Sequence, residues 1–234
     1  MKTVGYQTLL FNMLMIMSMQ VMTDTIDTVG QEPYEQCGYC HEYDGNSLMP
    51  LYPKLAAQQS EYIKKQLKDF KVGKRKGQMQ ATAELLTNKD INVVANYFSQ
   101  QQISNTKKKT LSNDKYATAE QLFLYGDEKR DLIACRSCHG NSAQGIGLAP
   151  RLASQHKSYL IQQLNLFKTG KRRNDLSDQM QTISQKLTEQ EIEVLSGYLA
   201  EFSLLDGAVV EGEKLVKRIK YFKNSKIEIN TVVK

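Results

Sequence analysis

The sequence lacks several patterns that would indicate other classes of protein. It has no convincing run of alternating apolar and polar residues, which argues against β-strands. It has no long low-complexity tract, and it has no interleaving of aromatic and basic residues that would predict nucleic-acid binding. The formal net charge is only +6, and the run Lys107 to Lys109 is typical of a solvated linker. These absences predict a folded protein with helices as its main elements.

Long apolar runs are also scarce, and the clearest one lies close to the N-terminus. A stretch of 14 residues from Leu9 to Met22 follows Lys2, the only basic residue among the first thirty. It is shorter than the ~20 residues of a membrane-spanning helix but suits the apolar part of a secretory signal. We therefore expect export to the periplasm, with residues 1–23 as a signal peptide. Because a small-x-small cleavage site is missing, retention of this segment as a membrane anchor is the alternative.

Cysteine and histidine are few, and nearly all of them lie in two short motifs. The four cysteines and two of the three histidines form CGYCH, residues 37–41, and CRSCH, residues 135–139. Zinc is disfavoured because 94 residues separate Cys40 from Cys135, whereas paired zinc motifs are usually ~15–20 residues apart. A thioredoxin-like redox pair would need a βαβ setting. Covalent attachment of a c-type haem explains the histidines too, because two thioether bonds hold the porphyrin while the imidazole ligates the iron.

The two motifs belong to an internal repeat. Shifting the sequence by 97 aligns residues 51–76 with residues 148–173, and 13 of these 26 positions are identical. The shift is 98 between the two motifs and 101 between the segments that begin at Leu86 and Leu187. The second copy has therefore gained four residues between about 173 and 179, a change that belongs in a loop.

Each copy has the apolar spacing of helices. Ile63, Leu67 and Phe70 recur along one face, and Gly73 ends the pattern; Leu160, Leu164, Phe167 and Gly170 repeat it. Further helices are predicted after Thr87 and after Thr188, where Thr188 and Glu191 have the spacing of a capping box. We expect an all-α fold whose two thin cores are each completed by a bulky apolar cofactor.

Methionines are the candidates for the second axial ligand of each iron. Beyond residue 23 only Met49, Met79 and Met180 remain, and Met180 is the only one in the second copy. Met79 and Met180 both follow polar, basic loops and both precede Gln. We predict Met79 and Met180 as ligands, with Met49 as the competitor in the first copy. His156 matches Gln59, so we expect a hydrogen-bonding or surface histidine and no role that both copies share.

The two motifs, the P-[KR]-L-A-x-Q stretch after each, the F-K-x-G-K helix end and the later methionine resemble the cytochrome c4 family. The resemblance covers about residues 34–203. It implies two tandem class I cytochrome c domains related by a pseudo-twofold axis, with the haem propionates near their interface. It also assigns the remaining roles, with thioether bonds at Cys37, Cys40, Cys135 and Cys138, proximal iron ligands at His41 and His139, distal ligands at Met79 and Met180, and histidine-orienting carbonyls at Pro53 and Pro150.

The domain boundaries follow from the repeat. We expect residues 24–103 to form the first cytochrome c domain, 104–113 a linker and 114–203 the second domain. Residues 204–234 form a basic C-terminal extension, either a helix covering the second domain or a docking element for an acidic partner or an anionic lipid. Glu42 departs from the family's glycine after the motif, which the second copy keeps as Gly140.

The expected function is one-electron transfer between respiratory redox partners, such as a quinol-oxidising complex and a terminal oxidase, without substrate turnover. Docking is expected to be weak and electrostatic, through basic residues near each haem: Lys64, Lys65, Lys68, Lys71, Lys74 and Lys76 in the first copy, and Lys168, Lys171, Arg172 and Arg173 in the second. A dihaem enzyme of the peroxidase or thiosulfate-oxidising type is the alternative, but attachment consumes all four cysteines. The electron-accepting subunit of a dehydrogenase complex is the other candidate.

Overall fold

The computed structural model describes residues 32–104 and 113–202, and their elements are helical. The first copy contains α1 (Pro33–His41), α2 (Ser60–Lys71), α3 (Met79–Leu85) and α4 (Asn88–Gln100). The second contains α5 (Asn113–Leu124), α6 (Arg136–His139), α7 (Lys157–Lys168), α8 (Gln179–Lys186) and α9 (Glu189–Glu201), with 3₁₀ turns at Glu128–Arg130 and Leu176–Asp178. The prediction of an all-α fold is confirmed.

Local sequence signals set the ends of these helices. Thr87 and Thr188 cap α4 and α9, each within a capping box whose reciprocal bonds satisfy the first free N–H groups. Gly73 and Gly170 follow α2 and α7 with φ of 69° at both positions, a left-handed conformation that favours glycine. The two copies therefore begin and end their equivalent helices by the same devices.

Each copy has its own apolar cluster. In the first, α2 and α4 pack together around Ile63, Leu67, Ile91, Val94 and Phe98. In the second, α5 and α7 both pack against α9, and α5 adds buried aromatic residues to a larger cluster, among them Phe123, Tyr198 and Phe202. The first copy has no described counterpart of α5, because α1 begins at Pro33 and already contains the CGYCH motif.

Several predicted segments lie outside the described residues. These are the N-terminal segment 1–23, most of the linker 104–113 and the extension 204–234. Within the described ranges, none of the helices combines the length and apolar character that crossing a bilayer requires. The described residues from Pro33 onward belong to a single compact unit.

A symmetrical set of buried polar side chains joins the two copies. Arg75 Nη2 donates to the hydroxyl of Tyr159 at 3.1 Å and to Oε1 of Gln163 at 2.8 Å. Arg172, the repeat equivalent of Arg75, donates to Tyr62 and Gln66, both at 3.1 Å. Each arginine also binds the glutamine of its own copy at 2.8 Å and lies over its own phenylalanine ring. Exchanging the copies reproduces every contact, as expected of a twofold arrangement.

A second symmetrical set pairs the loops after the motifs. Gln58 accepts from the backbone N–H of Arg151 at 2.7 Å and donates to its carbonyl oxygen at 3.1 Å. Gln155, the equivalent of Gln58, makes the same two bonds to Lys54, at 2.9 and 3.0 Å. Both glutamines are buried, so the loops form a short two-way bridge whose polar groups are satisfied by the opposite copy.

His156 has the role that Gln59 has in the other copy, so the expectation that they share no role is wrong. His156 Nε2 lies 2.8 Å from the carbonyl oxygen of Ser47, and Gln59 Nε2 donates to that of Gln144 at 2.9 Å. Gln59 Nε2 also reaches the carbonyl oxygen of Gly145 at 3.3 Å, and the shift of 98 pairs Gly145 with Ser47. Imidazole and carboxamide N–H groups are both donors of similar reach, so the repeat preserves the bond while the residue type changes.

The four-residue insertion of the second copy breaks the symmetry. Asn174, at its start, is 1% exposed and donates to Asp69 Oδ2 at 2.7 Å and to Gln66 Oε1 at 2.9 Å. Lys65 contacts Asp69 and the carbonyl oxygen of Asn174. The insertion thus packs onto the first copy. Arg172, predicted to dock an acidic partner, is instead buried in the interface, because the tyrosine and glutamines of both copies surround its guanidinium.

Candidate functional site

The four cysteines occupy equivalent positions in the two copies. Cys37 and Cys135 are partly buried and pack against the apolar cluster of their own copy, whereas Cys40 and Cys138 are exposed. Burial raises the pKa of both Cys37 and Cys135 to about 11, so as free thiols they are neutral. In each motif one sulfur therefore faces the protein interior and the other lies at the surface, three residues away.

The two motif histidines are buried and held in the same way. His41 Nδ1 lies 2.8 Å from the carbonyl oxygen of Pro53, and His139 Nδ1 lies 2.8 Å from that of Pro150. Because a carbonyl can only accept, Nδ1 carries the proton and Nε2 keeps its lone pair. Burial lowers the pKa of both histidines. The neutral tautomer with a free Nε2 is the form that binds iron, and the outer hydrogen bond fixes the ring.

The predicted methionine ligands lie in the first turns of equivalent helices. Met79 is the first residue of α3 and Met180 the second of α8, and both side chains are half-buried. The backbone N–H of Met180 donates to Asp175 Oδ2 at 2.6 Å, so the insertion loop also holds the start of α8. Met49 is 55% exposed on the loop after the first motif. The assignment of Met79 and Met180 as ligands stays a prediction.

Several large apolar side chains near both motifs are only partly buried by the protein. Met49 and Leu51 in the first copy, and their equivalents Ile146 and Leu148 in the second, are each about half exposed. Large apolar side chains that recur at equivalent positions beside a cofactor motif are suited to contact an apolar macrocycle. These residues therefore fit the predicted haem.

Arg151 gives a second test of the fit. Its side chain is 1% exposed, and within the described residues its Nε has no hydrogen-bond partner. Its other nitrogens donate to backbone carbonyls, including that of Lys54 at 3.1 Å. Burial lowers the pKa of Arg151 to about 10. Since a buried cation normally has an anionic partner, this position, next to Pro150, suits a haem propionate.

The two sites differ immediately after the motif histidine. Glu42 has φ of 61° and Gly140 has φ of 81°, so the backbone turns left-handed in both copies. Glycine takes this conformation freely, whereas another residue costs about 1–2 kcal/mol. The predicted departure at Glu42 is therefore a substitution in a conserved backbone geometry of the repeat.

The second site also has an ion-pair brace. Ahead of α6, Arg130 binds Glu191 at the start of α9 through two nitrogens, at 2.7 and 3.0 Å. Arg130 Nε donates to Asp127 at 2.7 Å as well. The brace ties the turn before the CRSCH motif to the helix that packs on α5 and α7.

The residues that join the copies were not predicted from the sequence as an interface. A signal was present: Tyr62 and Tyr159, Gln66 and Gln163, and Arg75 and Arg172 are identical pairs that the apolar helical pattern leaves unexplained. Identical polar residues at equivalent positions of a repeat can mark a symmetrical interface. Only their placement in the structure shows that both sets meet at one place.

Comparisons with known proteins agree with this geometry. The family model "Cytochrome c" matches residues 124–203. Cytochrome c4 of Thiocapsa roseopersicina is 36% identical over 71% of this chain and 87% of its own length. Cytochrome c4 of Pseudomonas aeruginosa is 37% identical over 73% and 85%. A protein of Stutzerimonas stutzeri named thiosulfate dehydrogenase electron acceptor is 30% identical over 70% and 77%.

Solved structures give the same family. The crystal structure of reduced cytochrome c4 from Pseudomonas stutzeri superimposes with a TM-score of 0.67 at 33% identity, covering 73% of this chain and 97% of that one. Thiosulfate dehydrogenase TsdBA from Marichromatium purpuratum matches with a TM-score of 0.65 at 33% identity, over 72% of this chain and 36% of its own. The predicted fold of two tandem cytochrome c domains is confirmed by these likenesses.

Proposed function

Because the chain belongs to the cytochrome c4 family and carries two covalently attached c-type haems, we propose that it is a periplasmic carrier of single electrons between respiratory redox partners. When bound, each haem iron supplies a one-electron couple. The observation that best supports the proposal is the equivalence of the two sites, each with a buried histidine held through Nδ1 by a proline carbonyl at 2.8 Å. A ligand fixed in this way changes little in geometry when the charge on the iron changes.

The ligand assignment is part of the proposal. His41 and His139 would hold the iron through Nε2, and Met79 and Met180 would be its second protein ligands. A thioether is a weak, soft ligand that favours ferrous iron and so raises the reduction potential. With a histidine and a methionine on each iron, neither site would leave a position for a substrate, and we therefore propose transfer without turnover. Pro53 and Pro150 orient the proximal rings.

Redox titration of the purified haem protein tests the ligand assignment. Two one-electron steps are expected, together with the weak near-infrared charge-transfer band of methionine-ligated ferric haem. Met79→Ala and Met180→Ala should each remove about half of that band, whereas Met49→Ala should leave it intact. A wild-type protein without the band, or a band lost in Met49→Ala, would overturn the assignment. Rapid carbon monoxide binding by the reduced wild type would instead indicate an open iron and an enzyme.

Two redox routes are consistent with the relatives. Delivery of electrons to a terminal oxidase is the proposed route, and the electron acceptor of a thiosulfate dehydrogenase is the second candidate, since relatives carry that name. Oxidation of the reduced protein by oxidase-containing membranes measures the first route. Reduction by thiosulfate together with a thiosulfate dehydrogenase measures the second. The faster reaction at equal protein concentration identifies the route.

Docking through lysines remains part of the proposal, with a smaller set of residues. Lys65 and Lys71 are engaged in contacts within the protein, and Lys64 pairs with Glu61 at 2.8 Å. The exposed members of the first group are Lys68, Lys74 and Lys76. We expect these to steer an acidic partner weakly, with rates that fall as salt increases. Export through residues 1–23, and membrane association through that segment or the basic tail, also stay proposals.

A further inference from the structure

An exposed pair of tyrosines, one within the first motif and one just after it, has no counterpart at the second motif. Tyr39 is 76% exposed and Tyr43 is 53% exposed, and their rings meet edge to face with centroids 6.3 Å apart. The ring of Tyr43 packs directly on Gly38, where an added Cβ would lie 2.6 Å from a ring carbon. The equivalent residues in the second copy are Ser137, Asn141 and Arg136. Gly38 thus leaves room for an aromatic ring to pack on the first copy, whereas the second copy has Arg136 at this position.

Tyr39 lies on the side of α1 that faces away from the cofactor residues, and Tyr43 follows the end of the helix. Helical residues advance by about 100° each, so Cys37, Cys40 and His41 fall within an arc of about 100°. Tyr39 lies about 200° from Cys37 on the same scale, on the opposite side of the helix. Its exposure is therefore independent of what the two cysteines and the histidine hold. Peptide bonds nevertheless join Tyr39 directly to Cys40, an attachment residue.

The surroundings of the pair are acidic. Between residues 32 and 53 there is no Lys or Arg, and the acidic residues there are Glu32, Glu35, Glu42 and Asp44. Partial desolvation, then Tyr39, and then Glu35 and Glu42 raise the pKa of Tyr43, so both carboxylates act on its ring. The matching stretch of the second copy, residues 130–150, contains Arg130, Asp131 and Arg136, two basic residues against one acidic residue. The two motifs therefore carry opposite charge at their surfaces.

Glu42 has a backbone conformation that is unfavourable for residues other than glycine. The left-handed conformation there costs a non-glycine residue about 1–2 kcal/mol, and the second copy avoids this cost with Gly140. Within the described residues, the Glu42 side chain makes no hydrogen bond or ion pair that would offset the strain. Strain of this kind is commonly retained where a side chain serves a function.

We propose that Tyr39 and Tyr43, with Glu35, Glu42 and Asp44 around them, form a docking surface for a basic redox protein that exchanges electrons with the first haem. The inference rests on the proposed carrier function and specifies the kind of partner that docks near the first haem. Aromatic side chains supply contact area at low entropic cost, and a ring of carboxylates steers a positively charged partner. The exposed Lys68, Lys74 and Lys76, elsewhere on the first copy, and Arg136 in the second motif suit an acidic partner. One protein can thus receive and deliver electrons at surfaces of opposite sign.

A pair of probe proteins with the same cofactor and opposite charge tests the proposal. Mitochondrial cytochrome c presents a lysine-rich face, and succinylation converts those lysines to carboxylates. Stopped-flow transfer from the reduced protein to each probe is measured at low and high salt. Glu42→Gln keeps the side-chain length and the backbone strain, and it should slow the basic probe about 2- to 5-fold at low salt. Glu42→Lys should slow it about 10-fold and speed the succinylated probe.

The contribution of the two tyrosines to docking is tested by replacing them with the equivalent residues of the second copy. Tyr39→Ser combined with Tyr43→Asn should slow the basic probe about 3- to 10-fold at any salt concentration, because contact area and not charge is lost. Arg136→Gln is the matched control in the second copy and should leave the basic probe unaffected.

Three results would overturn the inference: an unchanged rate in the Glu42 and tyrosine variants, equal loss for both probes, or the same effect from Arg136→Gln. Redox titration of each variant separates this outcome from failure of the carrier function. If both haems cycle reversibly with unchanged potentials, the carrier function stands and only the docking surface is wrong.

Discussion

Arg172 of the second copy reaches the hydroxyl of Tyr62 in the first at 3.1 Å, and Arg75 makes the equivalent bond to Tyr159. Burial alone would raise the pKa of Tyr62, but Arg172 and Arg75 outweigh it and lower that pKa. Two guanidinium groups are thus held inside the interface by neutral oxygens. The carboxylate of Asp69 takes part indirectly, because it accepts a hydrogen bond from Asn174. This arrangement joins the two copies through buried polar contacts.

Removing one arginine should therefore weaken the interface strongly. In Arg75→Gln the hydroxyl of Tyr159 and the carbonyl oxygens of Gln66 and Gln163 each lose a donor, and we expect a loss of about 2–4 kcal/mol of unfolding free energy. Tyr159→Phe, the matched control, loses one bond and should cost about 1 kcal/mol. Urea unfolding of the haem protein measures both. Equal stability of wild type and Arg75→Gln would show that the cluster does not hold the copies together.

The contact between His156 and Ser47 predicts a pH dependence near neutrality. Burial, and then Lys54, lowers the pKa of His156 from its usual value of 6.5. The folded state thus binds fewer protons, so the full stability is present above about pH 6.5 and falls as the pH drops below the unfolded value. His156→Gln, which copies Gln59, should keep the bond to Ser47 and flatten this part of the profile. Thermal unfolding between pH 5 and 8 measures it, and an unchanged slope in the variant would refute the prediction.

The ion pairs of Arg130 predict that the second copy loses stability at acid pH. The hydrogen bond and charge of Arg130 lower the pKa of both Glu191 and Asp127. Carboxylates with a lowered folded pKa stabilise the protein above their unfolded pKa of about 4, and that contribution is lost as the pH falls through the folded value. Glu191→Gln should cost about 1–2 kcal/mol at pH 7 and reduce the slope below pH 4.5. The measurement is urea unfolding as a function of pH, and a slope equal to that of the wild type would contradict it.

The proposed methionine ligands predict separate effects on the two haems. Met180→Ala should lower one midpoint potential by on the order of 100 mV and leave the other within about 20 mV, because axial ligands set haem potentials over a wide range. Met79→Ala should lower the other. Potentiometric titration of both variants assigns each step to a copy. If one variant moved both potentials equally, the two sites would be coupled and the individual assignment would fail.

The local features followed from the sequence because neighbouring residues produce them. The spacing of the cysteines and histidines fixes the attachment chemistry, since the bonds form within five consecutive residues. The helix ends at Gly73 and Gly170 and the capping box at Thr188 also depend on contacts within one turn. The repeat then predicted equivalent helices and equivalent cofactor residues in the two copies.

The tertiary structure alone decided which polar residues are buried and what they meet. Arg172 belongs by sequence to a basic loop, yet it lies inside the interface because Tyr62 and Gln66, more than a hundred residues earlier, surround it. His156 matches Gln59 in function although the residue types differ, and this follows from the position of a distant carbonyl. Tyr39 and Tyr43 form one surface only because the ring of Tyr43 packs on Gly38 of α1. Adjacent residues determined the local chemistry. Folding determined which charged side chains are buried, because their partners lie far away in the sequence.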